Sequence, residues 1–114
     1  MREFETGATR DSEEGKLDYE GFLSPRVVKR YAEYLHEHRL QADGKMRDSD
    51  NWQKGIPMSV YMKSGWRHFM EWWGLYRRVL EGRTVPIKEY EEAICALMFN
   101  AMGFLHELLK DSGR

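Results

Sequence analysis

Residues 58–81 read MSVYMKSGWRHFMEWWGLYRRVLE, and this stretch decides the fold. It holds three of the four tryptophans, Trp66, Trp72 and Trp73, together with Tyr61, Phe69, Tyr76, Val79 and Leu80. At 100° per residue these side chains span an arc wider than a single stripe, which predicts a helix that is central in a bundle or faces a partner. On its carboxyl side a turn from Gly82 to Pro86 leads to a second helical period over about Ile87–Leu109. There Ile94, Leu97, Met98, Ala101, Met102, Leu105, Leu108 and Leu109 form one apolar face. On its amino side the polar segment Gln41–Pro57, with Gly44, Gly55 and Pro57, is expected to loop and to be anchored by Trp52 and Ile56. Before that loop, Ser24-Pro25 is a helix start signal, a capping hydroxyl followed by proline at the first helical position. Val27, Val28, Tyr31 and Leu35 then recur at helical spacing, giving a helix to about Leu40. No strand-like alternation occurs anywhere. The expectation is an all-α fold, a small bundle of three main helices forming one domain over residues 24–114, preceded by a Gly-interrupted arm over residues 1–23.

A chain of 114 residues and 13.6 kDa has room for a single core. Three helices with aromatic and Met-rich faces bury too little surface alone, so a homodimer or homotetramer is expected. Eighteen Lys and Arg oppose nineteen Asp and Glu, split evenly between the halves, so neither half carries the basic surface that duplex nucleic acid requires. Mean hydropathy is −0.74 and the longest uninterrupted apolar run, Ala93–Phe99, is short for a spanning helix. With a charged, acidic start and a single cysteine, Cys95, a cytoplasmic location without membrane association is expected.

Several side-chain groups are candidates for chemistry. Glu33 and Glu37, one helical turn apart, stack two carboxylates that repel unless a cation lies between them. The helix wheel sets them opposite Val27, Val28, Tyr31 and Leu35, which by itself favours a solvated face partly neutralised by Arg30. In the last helix Glu92, Ala96, Asn100 and Gly103 occupy a narrow arc opposite the apolar face. Small residues there admit a ligand or another helix. On the middle helix Arg67 and His68 beside Glu71 are suited to phosphate, through a guanidinium fork and a titratable donor. The alternative is an Arg67–Glu71 pair with His68 packed among aromatics. His36, His38 and His106 lack ligand spacing and read as surface residues. The Gly-rich loops around Arg10, Lys16 and Lys54 match neither the Walker pattern nor the dinucleotide fingerprint. Asp48-x-Asp50 lacks the rest of a calcium loop. Cys95, inside an apolar run, reads as inert, and no Gly-x-Ser-x-Gly elbow is present.

Taken together, Thr6-Gly7-Ala8-x-Arg10-Asp11, Gly15-Lys16-x-Asp18, Pro25 with Arg30-Tyr31-Ala32-Glu33, Asp50-Asn51-Trp52-x-Lys54-Gly55-x-Pro57, Arg67-His68 and Glu91-Glu92-Ala93 followed by Asn100-Ala101 resemble one bacteriophage family. It is the small family named after the amino-terminal domain of dATP/dGTP diphosphohydrolases. The resemblance extends from about Thr6 to Leu109, and the Asn-Trp-x-Lys-Gly-x-Pro string with its downstream Arg-His is the most specific part. It implies conversion of a purine deoxynucleoside triphosphate to the monophosphate and pyrophosphate in the host cytoplasm. In outline it is similar to the all-α MazG-like pyrophosphohydrolases, metal-dependent oligomers that carry Glu-x-x-Glu and Glu-x-x-Asp. This sequence departs from both motifs. Glu33 and Glu37 are separated by three residues, and Cys95 stands where an Asp would follow Glu92, with Asn100 as a partial substitute.

The resemblance implies roles for individual residues. Glu33, Glu37 and Glu92 would hold Mg²⁺ or Mn²⁺, and Glu92 and His68 would act in catalysis. Arg10, Lys16, Asn51, Trp52, Lys54, Arg67 and Asn100 would bind the nucleotide. A non-catalytic protein that sequesters a nucleotide or a nucleotide-derived signal is the alternative that the imperfect carboxylate set favours. A purely structural interaction domain built on the tryptophan-rich helix is the third.

Overall fold

The computed structural model describes residues 1–114 and is mostly helical, at 61%. In chain order its elements are strands β1 (Arg2–Glu3) and β2 (Thr9–Arg10), a one-turn helix α1 (Tyr19–Phe22), and three long helices. These are α2 (Pro25–Glu37), α3 (Met58–Leu80) and α4 (Ile87–Asp111), with a 3₁₀ turn at Asn51–Lys54 before α3.

The start signals act as read. Ser24 Oγ accepts a hydrogen bond from Val27 N–H at 3.2 Å, and Pro25 occupies the first turn, where its missing N–H costs nothing. The helix stops at Glu37 rather than about Leu40, because Leu40 takes up an isolated antiparallel bridge with Met46. Gly44, at φ +84°, reverses the chain between them, a conformation that L side chains resist. The arm is likewise more structured than its composition implies. Glu3 pairs with Thr9 and Arg2 with Arg10 in a two-residue antiparallel ladder, while Arg2 Nε–H donates to Asp11 O at 2.8 Å. Such short strands carry no alternation to read.

The larger departure concerns α4. Its most apolar arc does not form the core. The buried residues of this helix are Ala93, Cys95, Ala96, Asn100, Gly103 and Glu107. Of the predicted apolar face, Leu105, Leu108 and Ala101 are exposed, and Ile94, Leu97 and Met98 are half-buried. Small side chains win the helix–helix contact because they let α3 come close. Gly65 of α3 lies over Asn100, and the ring of Tyr61 sits where a Cβ on Gly103 would be. Tyr61 is 2% exposed, the most buried of the large side chains in the chain. Its edge also meets Phe99, with ring centroids 5.9 Å apart. Residues 65 and 100, and 61 and 103, therefore face each other in an antiparallel hairpin closed by Gly82 at φ +84°. The remaining helix, α2, lies against the other flank of α4. Tyr31 Oη–H points to Met102 Sδ at 3.5 Å, and Arg30 reaches Glu91. By length and composition α4 is also apolar enough to cross a membrane, although one third of that apolar window is buried inside the fold.

Two glycine substitutions test this packing. Gly103→Ala drives a methyl into the Tyr61 ring and is expected to cost about 1–3 kcal/mol, lowering the thermal midpoint by several degrees. Gly74→Ala, in the same helical hairpin but with nothing within 4 Å of the added Cβ, is expected to raise it, by up to about 1 kcal/mol through helix propensity. Circular dichroism melts distinguish the two.

Candidate functional site

Chemistry-bearing side chains concentrate where the amino-terminal half of α4 meets α2 and the carboxyl-terminal half of α3. Arg30 of α2 is the centre of the polar network. Its Nε donates to Glu91 Oε1 at 3.0 Å and its Nη2 lies 3.8 Å from Glu92 Oε1. Burial opposes the guanidinium charge. The hydrogen bond to Glu91 and the neighbouring charges, Glu37 among them, outweigh that and hold Arg30 above its ordinary range. Its Nη1 is buried without a partner, so one donor of the fork is unused. From the residue capping α2, His38 Nε2 reaches Glu92 Oε2 at 2.9 Å. Glu92 is thus gripped from two sides by cationic or hydrogen-donating groups.

Glu92 also lines an open cleft of about 650 Å³ between the end of α3 and the start of α4, together with Met70, Glu71, Leu75, Arg78 and Lys88. The carboxylate of Glu71 pairs with His68 Nδ1 at 3.1 Å. The Tyr34 hydroxyl is held above its usual range first by burial and then by the charges of Glu92, Cys95 and Glu71. Two carboxylates from two helices therefore act on one spot.

The residues singled out in the sequence fall into three groups. Glu92 and, through Glu71, His68 are brought together at the cleft. Arg67 is exposed on α3 and makes no ion pair, so the partner of Glu71 is its neighbour His68 rather than Arg67. The others lie elsewhere. Arg10 is in β2 and Lys16 in the turn after it, both exposed. Asn51, Trp52 and Lys54 form the 3₁₀ turn, where Trp52 packs edge-on against His106 at 4.6 Å and anchors the loop to α4. Asn100 lies in the α3–α4 contact, its Nδ2 donating to Ala96 O of its own helix at 2.8 Å, which supports a packing role.

The three carboxylates expected to hold a metal are not gathered within one chain. No group of three or more His, Cys, Asp or Glu side chains is gathered as an ion would need. Glu33 and Glu37 are exposed, and Glu33 makes no ion pair. Glu92 is met instead by the Arg30 guanidinium and by His38 Nε2. His38 is the site residue that sequence reasoning missed. Its contact with Glu92 spans 54 positions, and nothing in the spacing of the histidines announces it. Cys95 is buried next to Arg30, and burial pushes its thiol up, as an inert core cysteine requires.

No family model, no curated protein and no solved structure matches the chain.

Two measurements test the α2 clamp. Arg30→Gln leaves Glu91 and Glu92 without the guanidinium, and about 1–2 kcal/mol of stability is expected to be lost as a lower urea midpoint at constant slope. Beside it, burial pushes the Tyr31 phenol from 10.0 to about 12. A raised folded-state value means that its contribution is complete below about pH 10 and disappears as pH climbs through about 12. Tyr31→Phe is therefore expected to flatten the alkaline limb of the stability profile, and phenolate absorbance should show one fewer late-ionising tyrosine than in the unmodified chain, where Tyr34 and Tyr61 are also held up by burial.

Proposed function

We propose that the chain is the protomer of a nucleotide pyrophosphohydrolase. It would act on purine deoxynucleoside triphosphates, with the α3–α4 cleft as its site. One observation carries the reading: Glu92, and His68 through its partner Glu71, are brought from different helices to the same cleft. Arg78 and Lys88 on the cleft wall are the cations that would meet a triphosphate, beside the carboxylates of Glu71, Glu89 and Glu92. Glu92 and Glu71 are carboxylates placed to accept the proton of a water that attacks the α-phosphorus, while pyrophosphate departs. His68 would fix the orientation of Glu71. Glu33, Glu37 and Glu92 do not constitute a divalent-cation site within one chain, and the reading rests on the protein's own groups.

A second reading has its own support. With Glu92 already engaged by Arg30 and His38, and one Arg30 donor unmet, the same region suits a protein that holds a phosphate-bearing nucleotide without cleaving it.

Incubation with the deoxynucleoside triphosphates, separately with Mg²⁺, with Mn²⁺ and with neither, followed by chromatography of the products, distinguishes the two. Monophosphate and pyrophosphate are the expected products for the enzyme. Glu92→Gln is expected to reduce their formation by about 10²–10⁴-fold while leaving the helical ellipticity unchanged. Recovery of intact nucleotide from heat-denatured protein supports sequestration. Absence of both turnover and calorimetric binding overturns both readings.

A further inference from the structure

We infer that the outward apolar face shared by α3 and α4 is the interface with a second copy of this chain, closing two helical hairpins into a four-helix layer pair. Three arcs of α4 can be told apart. One meets α2 through Glu91, Glu92 and Met102, and one is buried through Ala93, Ala96, Asn100 and Gly103. The third carries Leu97, which reaches Gly65 at the edge of α3, and then Ala101, Leu105 and Leu108, which are exposed. Beside it runs the stripe Met62, Trp66, Phe69, Trp73 and Tyr76 of α3, every member exposed, Trp66 by 62% and Trp73 by 50%. Its positions advance by four and three residues, so they share one face along nearly the whole helix.

The amount of surface fits a partner of this size. The chain exposes 9,506 Å², whereas a compact protein of its mass exposes about 6,600 Å². Its radius of gyration is 19.4 Å, against about 13 Å for a compact chain of this length. Only eight residues are buried. The amino-terminal hairpin contributes to the excess, but the apolar stripe is on the helices. A specific dimer needs about 800 Å² from each partner, well within what is uncovered.

The shape favours an identical partner over an unrelated one. A groove of about 500 Å³, floored by Gly65, Asn100 and Ala101, runs along the same face as the aromatic ridge. The ridge is already braced internally, with Trp66 against Phe69 and Phe69 against Trp72, both edge to face. A face that carries both a ridge and a groove is self-complementary under a two-fold axis, each copy placing its Trp66–Phe69 ridge in the groove of the other. Such closure uses this apolar face of both copies. This inference does not depend on the cleft or on any nucleotide.

The test is solution mass by light scattering on the full chain at micromolar concentration, expected at twice 13.6 kDa. Trp66→Glu with Leu105→Glu is expected to return the mass to that of one chain with helical ellipticity retained. Lys29→Glu, on exposed α2, should leave the dimer intact. Serial dilution of the unmodified protein is expected to shift tryptophan emission to the red as the dimer separates, and that result decides the matter if the double variant loses its helices. A single-chain mass for the unmodified protein overturns the inference, as does a dimer that survives both glutamates. So does a single chain that sediments with neutral phosphatidylcholine vesicles, since the face would then serve lipid.

Discussion

The close approach of α3 and α4 across Ala93, Ala96, Asn100 and Gly103 is the contact on which the rest of the structure depends. Two helices pack at short distance only where their side chains leave room, and here room is made by glycine and alanine on one helix and filled by a single large ring, Tyr61, from the other. The choice has a consequence for everything else on α4. Once the small-residue arc is turned to α3, the Leu- and Met-rich arc is directed away from it. Part of the most hydrophobic arc of α4, at Leu105 and Leu108, is left exposed as a result.

The position of Glu92 follows from the same choice. With α3 on one flank of α4, α2 takes another flank and is held largely by polar groups. These are the Arg30 contacts to Glu91 and Glu92, the His38 contact to Glu92, and the Tyr31 hydroxyl on Met102. A clamp of this kind is directional, where an apolar contact would tolerate sliding. It places the Glu92 carboxylate at the rim of the α3–α4 cleft, with the Arg30 guanidinium facing both Glu91 and Glu92. The same arrangement explains why Arg30 is the natural cation of the site. It is partly buried, it is permanently charged, and its planar fork reaches two carboxylates at once.

The helices themselves were legible because local signals set them. Ser24-Pro25, Pro57, Gly82 and Pro86 punctuate the chain where helices start and stop, and the apolar period between them is strong. What escaped was the inward side of α4. Hydrophobic periodicity ranks residues by their aversion to water, and on that measure Leu97, Ala101 and Leu105 outrank Ala96, Asn100 and Gly103. Shape, which periodicity does not measure, reverses the order. The Glu92–His38 contact and the Leu40–Met46 bridge are pairings that composition leaves unmarked. Of the residues singled out in the sequence, Glu92 lies on the cleft and His68 meets it through Glu71, because both belong to the helical hairpin that holds it, whereas Asn100 of the same hairpin is turned into the helix contact. Arg10, Lys16, Asn51 and Lys54 lie on loops, whose position relative to α4 is set by contacts such as Trp52 on His106 rather than by any local rule.

The cleft and the uncovered apolar face occupy different aspects of the α3–α4 pair. Glu71, Gly74 and Arg78 project toward the former, while Met62, Trp66 and Phe69 project toward the latter. On a helix these sets are roughly half a turn apart, so a partner seated on the aromatic stripe does not need to close the cleft. Polar and apolar tasks are thereby divided between two sides of one hairpin. Glu71 and Glu92 stay open to a charged guest, while burial of Trp66, Phe69 and Trp73 would supply cohesion that eight buried residues provide only sparingly. On this arrangement the rigidity that a precise carboxylate geometry requires comes from the side of the hairpin that carries no chemistry, transmitted through Tyr61 and Leu75 in the contact between the two helices.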